Sequence, residues 1–306
     1  MTLKLTSGAS SRHEPTPGQP FAGNIGIVNL ARSEAAKAEI TVRPLRGNIN
    51  VLMGSGGNIT VLSGHDGKLL VDAGIAVSRS KITTALAAIS PDPIRYLINT
   101  HWHFDHTDGN QWLHAAGATI IAHENTRKHL SAITRVDDWD FTFPPSPEGA
   151  IPAEVFKTDR TLGFNDATIA LEYYGPCHTD GDISVELADS DVFLSGDTWW
   201  NGFYPFIDYS TGGSINGMIR ATEANLAKVT DKTVIIPGHG PVGNKSQLIE
   251  YRDMLVDMRD KVAAMKKQGR SLKEVIIAKP SAAYDAKWGR FLIDGSLFTR
   301  LVYAGV

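Results

Sequence analysis

The 306-residue chain is poor in cysteine and has no long apolar runs, and each shortage excludes a class of protein. Cys177 is the only cysteine, so no disulfide can form within the chain, and a structural zinc site of the kind that recruits cysteines is not indicated. No stretch reaches the roughly 18 consecutive apolar residues of a membrane-spanning helix. We therefore expect a soluble protein that has no membrane partner.

Basic charge is also in short supply. The net charge is -3, and no basic stripe interleaved with aromatic residues is visible. Because nucleic-acid binding depends on lysine and arginine that neutralise phosphates, we expect no nucleic-acid partner. Hydrophobic residues make up 42% of the chain, enough for one large domain or two modest ones. These bounds favour an enzyme with a small-molecule substrate and leave the oligomeric state open.

The N-terminal segment differs in composition from the rest. Met1–Pro20 is rich in serine, threonine, glycine and proline and lacks the apolar core of a secretion signal. We expect residues 1–40 to be flexible or loosely packed. Residues 41–306 are expected to form one domain that includes a helical C-terminal extension, 245–306. The sequence as it stands indicates a cytoplasmic protein, and a periplasmic one if a signal peptide was removed before this numbering begins.

Turn signals and apolar spacing predict an alternation of strands and helices. Three strands separated by glycine-rich turns form a predicted antiparallel meander: Asn48–Met53, Asn58–Ser63 and Lys68–Val71. A helix over Ser80–Ile89 precedes a buried strand, Ile94–Ile98. A second sheet is expected to begin with the strand Ala167–Tyr173, and the long amphipathic helix Ser246–Lys267 follows it.

The segment just after the strand Ile94–Ile98 is rich in metal-binding side chains. It places three imidazoles and one carboxylate close together, in His101-Trp102-His103-Phe104-Asp105-His106. Imidazole nitrogen binds zinc, copper, iron and nickel, and a carboxylate among imidazoles is typical of hydrolytic or oxygen chemistry. The pattern predicts a catalytic metal site.

Three further polar residues each follow a short predicted strand and lie close to a glycine. These residues are His178, Asp197 and His239. Their surroundings read GPCHTDGD, SGDT and PGHG. Loops at strand ends can bring ligands together from distant parts of a chain. Taken singly, such a histidine is more often an ordinary hydrogen-bonded side chain, and such an aspartate is often a turn residue.

The ordered motifs HxHxDH, GPCHTDGD, SGDT and PGHG resemble those of the metallo-β-lactamase superfamily over roughly residues 48–243. The resemblance implies a four-layered αββα sandwich, with metals in a cleft at one edge of the two packed sheets. The segment VDAG around Asp72 resembles the early aspartate motif of that superfamily. This implies that Asp72 supports the metal ligands, and simple turn chemistry is the alternative.

The resemblance also implies two zinc ions per chain, with iron or manganese as alternatives. The implied ligands are His101, His103 and His178 for the first metal, Asp105, His106 and His239 for the second, and Asp197 as a bridge between the two. Metal coordination lowers the pKa of a bound water from about 16 to about 7, so the implied nucleophile is hydroxide. The resemblance places Asp105 beside that nucleophile, as the residue that carries the proton.

Aromatic residues flank the implied ligands. These residues are Trp102, Phe104, Trp199 and Trp200. We predict that they form either an apolar pocket for an organic acyl substrate or part of the core. The loop Asp208–Ser214 is predicted either to line the pocket or to cap the next helix.

The predicted function is hydrolysis of an acyl bond in a β-lactam, lactone, ester or thioester. Aspartate at position 197, where β-lactamases of the superfamily carry cysteine or serine, resembles glyoxalase II-like thioesterases and lactonases more closely. Two alternatives stay open: a mononuclear iron dioxygenase that acts on a persulfide, and a metal-binding protein of the same fold that has no activity. Metal identity and turnover distinguish these functions.

Overall fold

A computed structural model of the chain describes residues 26–306. The predicted tail, Met1–Pro20, lies outside the described residues. Residues 21–25 lie outside them as well. Within residues 26–40, Ile27–Lys37 forms a helix, α1, which the sequence did not predict and in which Ile27 and Val28 are buried. The remaining domain division stays a prediction.

The first sheet is built from the first half of the chain. Its strands and those of a small neighbouring ribbon are β1 (Thr41–Pro44), β2 (Ile49–Met53), β3 (Ile59–Gly64), β4 (Gly67–Val71), β5 (Ile94–Ile98), β6 (Thr119–His123), β7 (Thr134–Val136), β8 (Phe141–Phe143) and β9 (Glu154–Phe156). The sheet order is β1-β2-β3-β4-β5-β6-β9, and β7 pairs with β8. The strands from β1 to β4 pair antiparallel, whereas β4, β5, β6 and β9 pair in parallel. The parallel strands therefore end at the same edge of the sheet.

The second sheet follows in the chain. Its strands, in spatial as well as chain order, are β10 (Asp159–Phe164), β11 (Ala167–Tyr173), β12 (Ile183–Leu187), β13 (Val192–Trp200) and β14 (Val234–His239). The strands pair antiparallel except for the parallel pair β13 and β14. The sheet thus begins at Asp159 rather than at the predicted Ala167. The edge strand β10 buries only its last residue, so it lacks the apolar run that marks a central strand.

The helices after α1 are α2 (Arg79–Ile89), α3 (Phe104–Thr107), α4 (Asn110–Ala115), α5 (Glu124–Ser131), α6 (Ile215–Lys228), α7 (Lys245–Lys267), α8 (Leu272–Ile277), α9 (Asp285–Trp288) and α10 (Gly295–Ala304). A capping box starts α7, because the side chains of Asn244 and Gln247 each accept a hydrogen bond from the other residue's backbone N–H. Within residues 26–306, no helix has both the length and the apolarity of a membrane span.

The two-residue period of the strands explains how the layers pack. In β4, Leu69 and Val71 belong to the core between the two sheets, whereas Leu70 packs with Ile82 of α2. On the far side of the second sheet, Phe193 belongs to the cluster that includes the buried faces of α6, α7 and α10. The layers are therefore helix, sheet, sheet and helix. This confirms the predicted αββα sandwich with its C-terminal helices.

Candidate metal centre

The predicted metal ligands converge where strands of the two sheets end. They are His101 and His103 after β5, Asp105 and His106 in α3, His178 between β11 and β12, Asp197 in β13, and His239 at the end of β14. One group contains His101, His103, His178 and Asp197, and the other contains Asp105, His106 and His239. The ligand atoms within each group lie within 4.8 Å of one another. The structure thus brings together all seven residues from four distant parts of the chain.

The hydrogen bonds of His103 and His178 determine which ring nitrogens carry protons. His103 Nε2 lies 3.0 Å from Asp208 Oδ2, and His178 Nδ1 lies 2.8 Å from the carbonyl oxygen of Phe206. Because both oxygens only accept, these two nitrogens are the donors. When both rings are neutral, the inward nitrogens, His103 Nδ1 and His178 Nε2, are the ones with lone pairs, and they lie 2.9 Å apart. Facing lone pairs at this distance repel each other, whereas a cation bound by both would be stabilised.

The hydrogen bonds of His101 also determine which of its ring nitrogens is the donor. Its Nδ1 lies 3.1 Å from the hydroxyl oxygen of Thr100, and that hydroxyl donates to Asp72 at 2.7 Å, so Nδ1 is the donor. The opposite nitrogen, Nε2, is buried and has no hydrogen-bond partner among the described residues. Burial, reinforced by the neighbouring His106, lowers the pKa of His101 well below its ordinary value. A neutral imidazole with a buried, unpartnered lone pair fits a metal ligand.

The second group attracts positive charge. Burial would lower the pKa of His106, but the nearby carboxylates, above all Asp197, Asp105 and Asp72, raise it well above its ordinary value. Burial is likewise outweighed at His239, whose pKa Asp197 and Asp105 raise to about 9. The Nε2 atoms of the two histidines lie 3.3 Å apart. A proton or a metal ion can supply the charge that these carboxylates favour.

Asp197 contacts both groups. Its Oδ2 lies 3.4 Å from His178 Nε2 and 3.3 Å from His239 Nε2, and its Oδ1 lies 3.2 Å from His106 Nε2. Burial would raise the pKa of this carboxyl, but the surrounding histidines, His239 first, hold it well below the ordinary value. The carboxylate is therefore placed where an anion would reduce the repulsion between two cations.

Asp72 lies behind the cluster, directly after β4. It has a φ of 65°, a left-handed conformation that aspartate tolerates better than most residues. Its buried carboxylate accepts hydrogen bonds from the backbone N–H of Thr100 at 2.8 Å and from His106 Nδ1 at 2.8 Å. Asp72 thereby orients His106 directly, and it orients His101 through Thr100.

The sequence placed Asp208 in a loop that either lines the pocket or caps a helix, and it did not indicate that Asp208 contacts a predicted metal ligand, His103. Besides His103, the Asp208 carboxylate accepts from the backbone N–H of Ser210 at 3.0 Å and from the hydroxyl of Thr211 at 2.6 Å. At the end of the loop Asp208–Ser214, Ser214 caps α6, as one of the two predictions for this loop expected. The only signal in the sequence was an aspartate in a short loop, and no neighbouring motif marked it.

Two glycines allow the loops to pack against the ligands. A Cβ atom on Gly238 would lie 1.9 Å from Asp197 Oδ1, and one on Gly57 would lie 2.2 Å from the ring of His106. Both distances are far shorter than a van der Waals contact. The side-chain amide of Asn58 joins the two loops, since it donates to the carbonyl oxygens of Pro237 and Gly240 at 2.9 Å each. The turn around Gly57, predicted only as a connection, is therefore part of the site.

A cavity of about 510 Å³ opens above the cluster. Three of the predicted ligands form its floor: Asp105, Asp197 and His239. Helix α1 forms one of its walls and the loop Phe291–Ile293 forms another. We call these two segments the flanking walls. They are mainly apolar, so the cavity offers hydrocarbon contacts next to a polar floor.

The predicted aromatic residues divide between the cavity and the core. Phe104 and Trp200 line the cavity, whereas Trp102 and Trp199 do not. Trp102 is buried beside His103 and donates from Nε1 to Thr211 at 3.2 Å. Trp199 is fully buried in the core. It differs from Trp200 because successive side chains of a strand point to opposite faces.

Polar contacts hold α1 in place over the cavity. The Arg32 guanidinium lies 3.3 Å from one carboxylate oxygen of Asp108, whose other oxygen accepts from the backbone N–H of Ala76 at 3.1 Å. The same guanidinium lies 5.5 Å from the centre of the Phe104 ring. The hydroxyl of Ser78 donates to the carbonyl oxygen of Ala35 at 3.0 Å.

Comparison with known families matches most of the chain. A model described as the metallo-beta-lactamase superfamily matches residues 52–264. The chain is 28% identical over 174 residues to a hydroxyacylglutathione hydrolase of Polaromonas sp., which covers 56% of this chain and 58% of that protein. A hydroxyacylglutathione hydrolase of Rhodospirillum rubrum is 26% identical over 187 residues, with 56% and 63% covered. The chain thus spans less than two thirds of the length of these relatives.

Solved structures share the fold at low sequence identity. A metallo-beta-lactamase from Pontibacter korlensis superposes with a TM-score of 0.58 at 16% identity, covering 72% of this chain and 100% of that one. A stereoselective inverting sec-alkylsulfatase from Pseudomonas sp. superposes with a TM-score of 0.64 at 16% identity, covering 90% of this chain and 52% of that one. These likenesses support the architecture alone.

Proposed function

Because this chain belongs to the metallo-β-lactamase superfamily, we propose that it is a dinuclear zinc hydrolase that cleaves an acyl bond in a small organic substrate. The observation that carries the proposal is the convergence of buried ring nitrogens on Asp197. His103 Nδ1 and His178 Nε2 lie 2.9 Å apart, His178 Nε2 lies 3.4 Å from Asp197 Oδ2, and Asp197 forms part of the floor of a largely apolar cavity. Imidazole and carboxylate donors without thiolates suit a catalytic rather than a structural zinc site.

Each metal would have its own set of side chains. His101, His103 and His178 would hold the first ion, Asp105, His106 and His239 the second, and Asp197 would contact both. Two zinc ions bound there would supply hydroxide near neutral pH and positive charge for the developing oxyanion.

Asp105 is the residue proposed to move the proton. Its Oδ2 lies 3.2 Å from His239 Nε2, and the residue lines the cavity. Burial would raise the pKa of Asp105, but His106 and His239 lower it to about 2, so the group is a carboxylate at neutral pH and can accept a proton. In the proposed reaction one water is consumed, the bond from the acyl carbon to the leaving atom breaks, and an acyl C–OH bond forms. Asp105 passes the proton of that water to the leaving group.

The relatives named hydroxyacylglutathione hydrolase support hydrolysis as the reaction class. The experiment that tests the proposal starts from protein purified without added metal. Its metal content is measured by elemental analysis, and the same sample is assayed with a chromogenic cephalosporin, a lactone, a nitrophenyl ester and an acyl-glutathione thioester. We expect about two zinc ions per chain and turnover that a chelator abolishes and zinc restores.

A matched pair of variants serves as the control. His129 pairs with Asp180 at 2.7 Å, much as His103 pairs with Asp208, but it lies outside the two ligand groups. His103→Gln should lower the zinc content, and His129→Gln should leave it unchanged. One iron per chain without hydrolysis would favour the persulfide dioxygenase, and two zinc ions without turnover on any substrate would favour an inactive metal-binding protein. Either result would overturn the proposal.

A further inference from the structure

The flanking walls of the cavity lie outside the part of the chain that matches the superfamily. Helix α1 precedes residue 52, and Phe291–Ile293 follows residue 264. Besides Glu34 and Lys37 of α1, the wall side chains that line the cavity are mostly apolar, among them Ile27, Leu30, Ala31, Phe291, Leu292 and Ile293. Part of the surface that a substrate would contact above the floor therefore lies outside the matched region, and Ile75, Phe104, Trp139, Trp200 and Phe206 contribute the part within it.

Charge is distributed unevenly around the cavity. Among the described residues that line it, Lys37 is the only lysine or arginine, and its Nζ lies 2.8 Å from the carboxylate of Glu34. Arg32 of the same helix pairs with Asp108 instead. Both cations therefore already have carboxylate partners within the chain, so a substrate carboxylate between these walls would have to compete with an existing pair. An unpaired charge in an apolar site is strongly disfavoured.

We infer that the substrate is an uncharged acyl compound whose hydrocarbon chain lies between α1 and Phe291–Ile293. The inference rests on the proposed hydrolase function, and it names the substrate class for that site. A volume of about 510 Å³ is in the range of pockets that enclose a small organic molecule. Carboxylate-bearing substrates, among them β-lactam antibiotics and glutathione thioesters, are disfavoured by the same walls.

The first test is a series of nitrophenyl esters from acetate to octanoate. Each methylene that becomes buried should raise kcat/KM by up to about fourfold, until the cavity is full. An ester of the same length that ends in a carboxylate should be a much poorer substrate than its uncharged counterpart. A flat chain-length profile, or a preference for the carboxylate-ended ester, would overturn the inference.

Two substitutions on one helix sharpen the test. Ala31 is half-buried and lines the cavity, whereas Ala36 is exposed and does not. Ala31→Phe should fill part of the cavity and lower the octanoate-to-acetate ratio of kcat/KM by about tenfold, the value of roughly two methylenes. Ala36→Phe should leave that ratio unchanged. Equal ratios in the two variants would contradict the placement of the chain against α1.

A binding measurement separates this inference from the proposed function. Calorimetric titration with straight-chain alcohols reports occupancy of the cavity without any reaction. Affinity that increases with chain length and is weakened by Ala31→Phe would support the apolar site even if no ester were hydrolysed, in which case only the proposed function would fail. Absence of alcohol binding together with a flat ester profile would overturn the inference itself.

Discussion

The floor of the cavity and its flanking walls are held in different ways. At and below the floor, four of the five predicted ligand histidines are oriented by buried partners, as His103 is by Asp208 and His106 is by Asp72. The walls are more exposed: Phe291 is 49% exposed, and the ion pair between Arg32 and Asp108 is partly accessible to solvent. On the proposed function, the sandwich would determine the chemistry, while the peripheral segments would determine which molecule reaches it.

The largest effect is expected at the floor, from Asp105→Asn. The amide keeps the shape of the side chain but is a much weaker base, so kcat should fall by about 10²- to 10⁴-fold. Ester hydrolysis measured beside thermal unfolding would separate lost chemistry from lost structure. Asp231→Asn, at an exposed position, is the matched control and should retain the parental rate. An unchanged rate in Asp105→Asn would remove Asp105 from the mechanism.

An intermediate effect, on zinc affinity, is expected from Asp208→Ala, because Asp208 contacts the predicted ligand His103. Without its partner, His103 loses its fixed orientation, and zinc affinity should fall by about 10- to 100-fold. Competition with a chromogenic chelator measures this affinity. Asp208→Asn should restore part of it, because the amide oxygen can still accept from His103 Nε2.

The control for this variant is Asp180→Ala, which removes the partner of His129, a histidine that belongs to neither ligand group. Its zinc affinity should equal that of the parent chain. If Asp208→Ala and Asp180→Ala weaken zinc binding equally, the effect would be one of general destabilisation and not of ligand orientation.

The smallest effect is expected in the walls, from Arg32→Ala. Loss of a partly exposed ion pair loosens α1 and should raise KM for the octanoate ester by up to about fivefold, with kcat unchanged. Steady-state kinetics on the acetate and octanoate esters measure the split. Arg127→Ala, at an exposed position of α5, should change neither constant. A fall in kcat with KM unchanged would mean that Arg32 contributes to the chemical step, and the proposed division of roles between floor and walls would then be wrong.

The sandwich was predictable because its strands carry strong local signals. Buried strands such as Ile94–Ile98 are largely apolar runs between turn residues, and the motif HxHxDH follows soon after this strand. The strand β10, with its mostly exposed or half-buried residues, lacks that signal. Helix α1 was missed because it follows a stretch of serine, glycine and proline and buries few side chains.

Within the site, the sequence could not indicate contacts that depend on distant segments. Asp208 contacts His103, which is 105 positions away in the sequence, and no local pattern near either residue predicts the contact. The division between Trp199 and Trp200 depends on the register of β13, which shifts between Gly196 and Trp200. A register change of one residue exchanges the two faces of a strand, so only the three-dimensional structure shows which ring lines the cavity.

The position of the flanking walls has a consequence for how this fold acquires new substrates. Both walls lie at the margins of the sandwich, one before β1 and the other after α9. Insertions, deletions or exchanges in these segments would interrupt no strand of either sheet and displace no ligand-bearing loop. On the proposed function, substrate preference and hydrolytic competence would then be carried by different stretches of one coding sequence, so that selection could change one with little effect on the other.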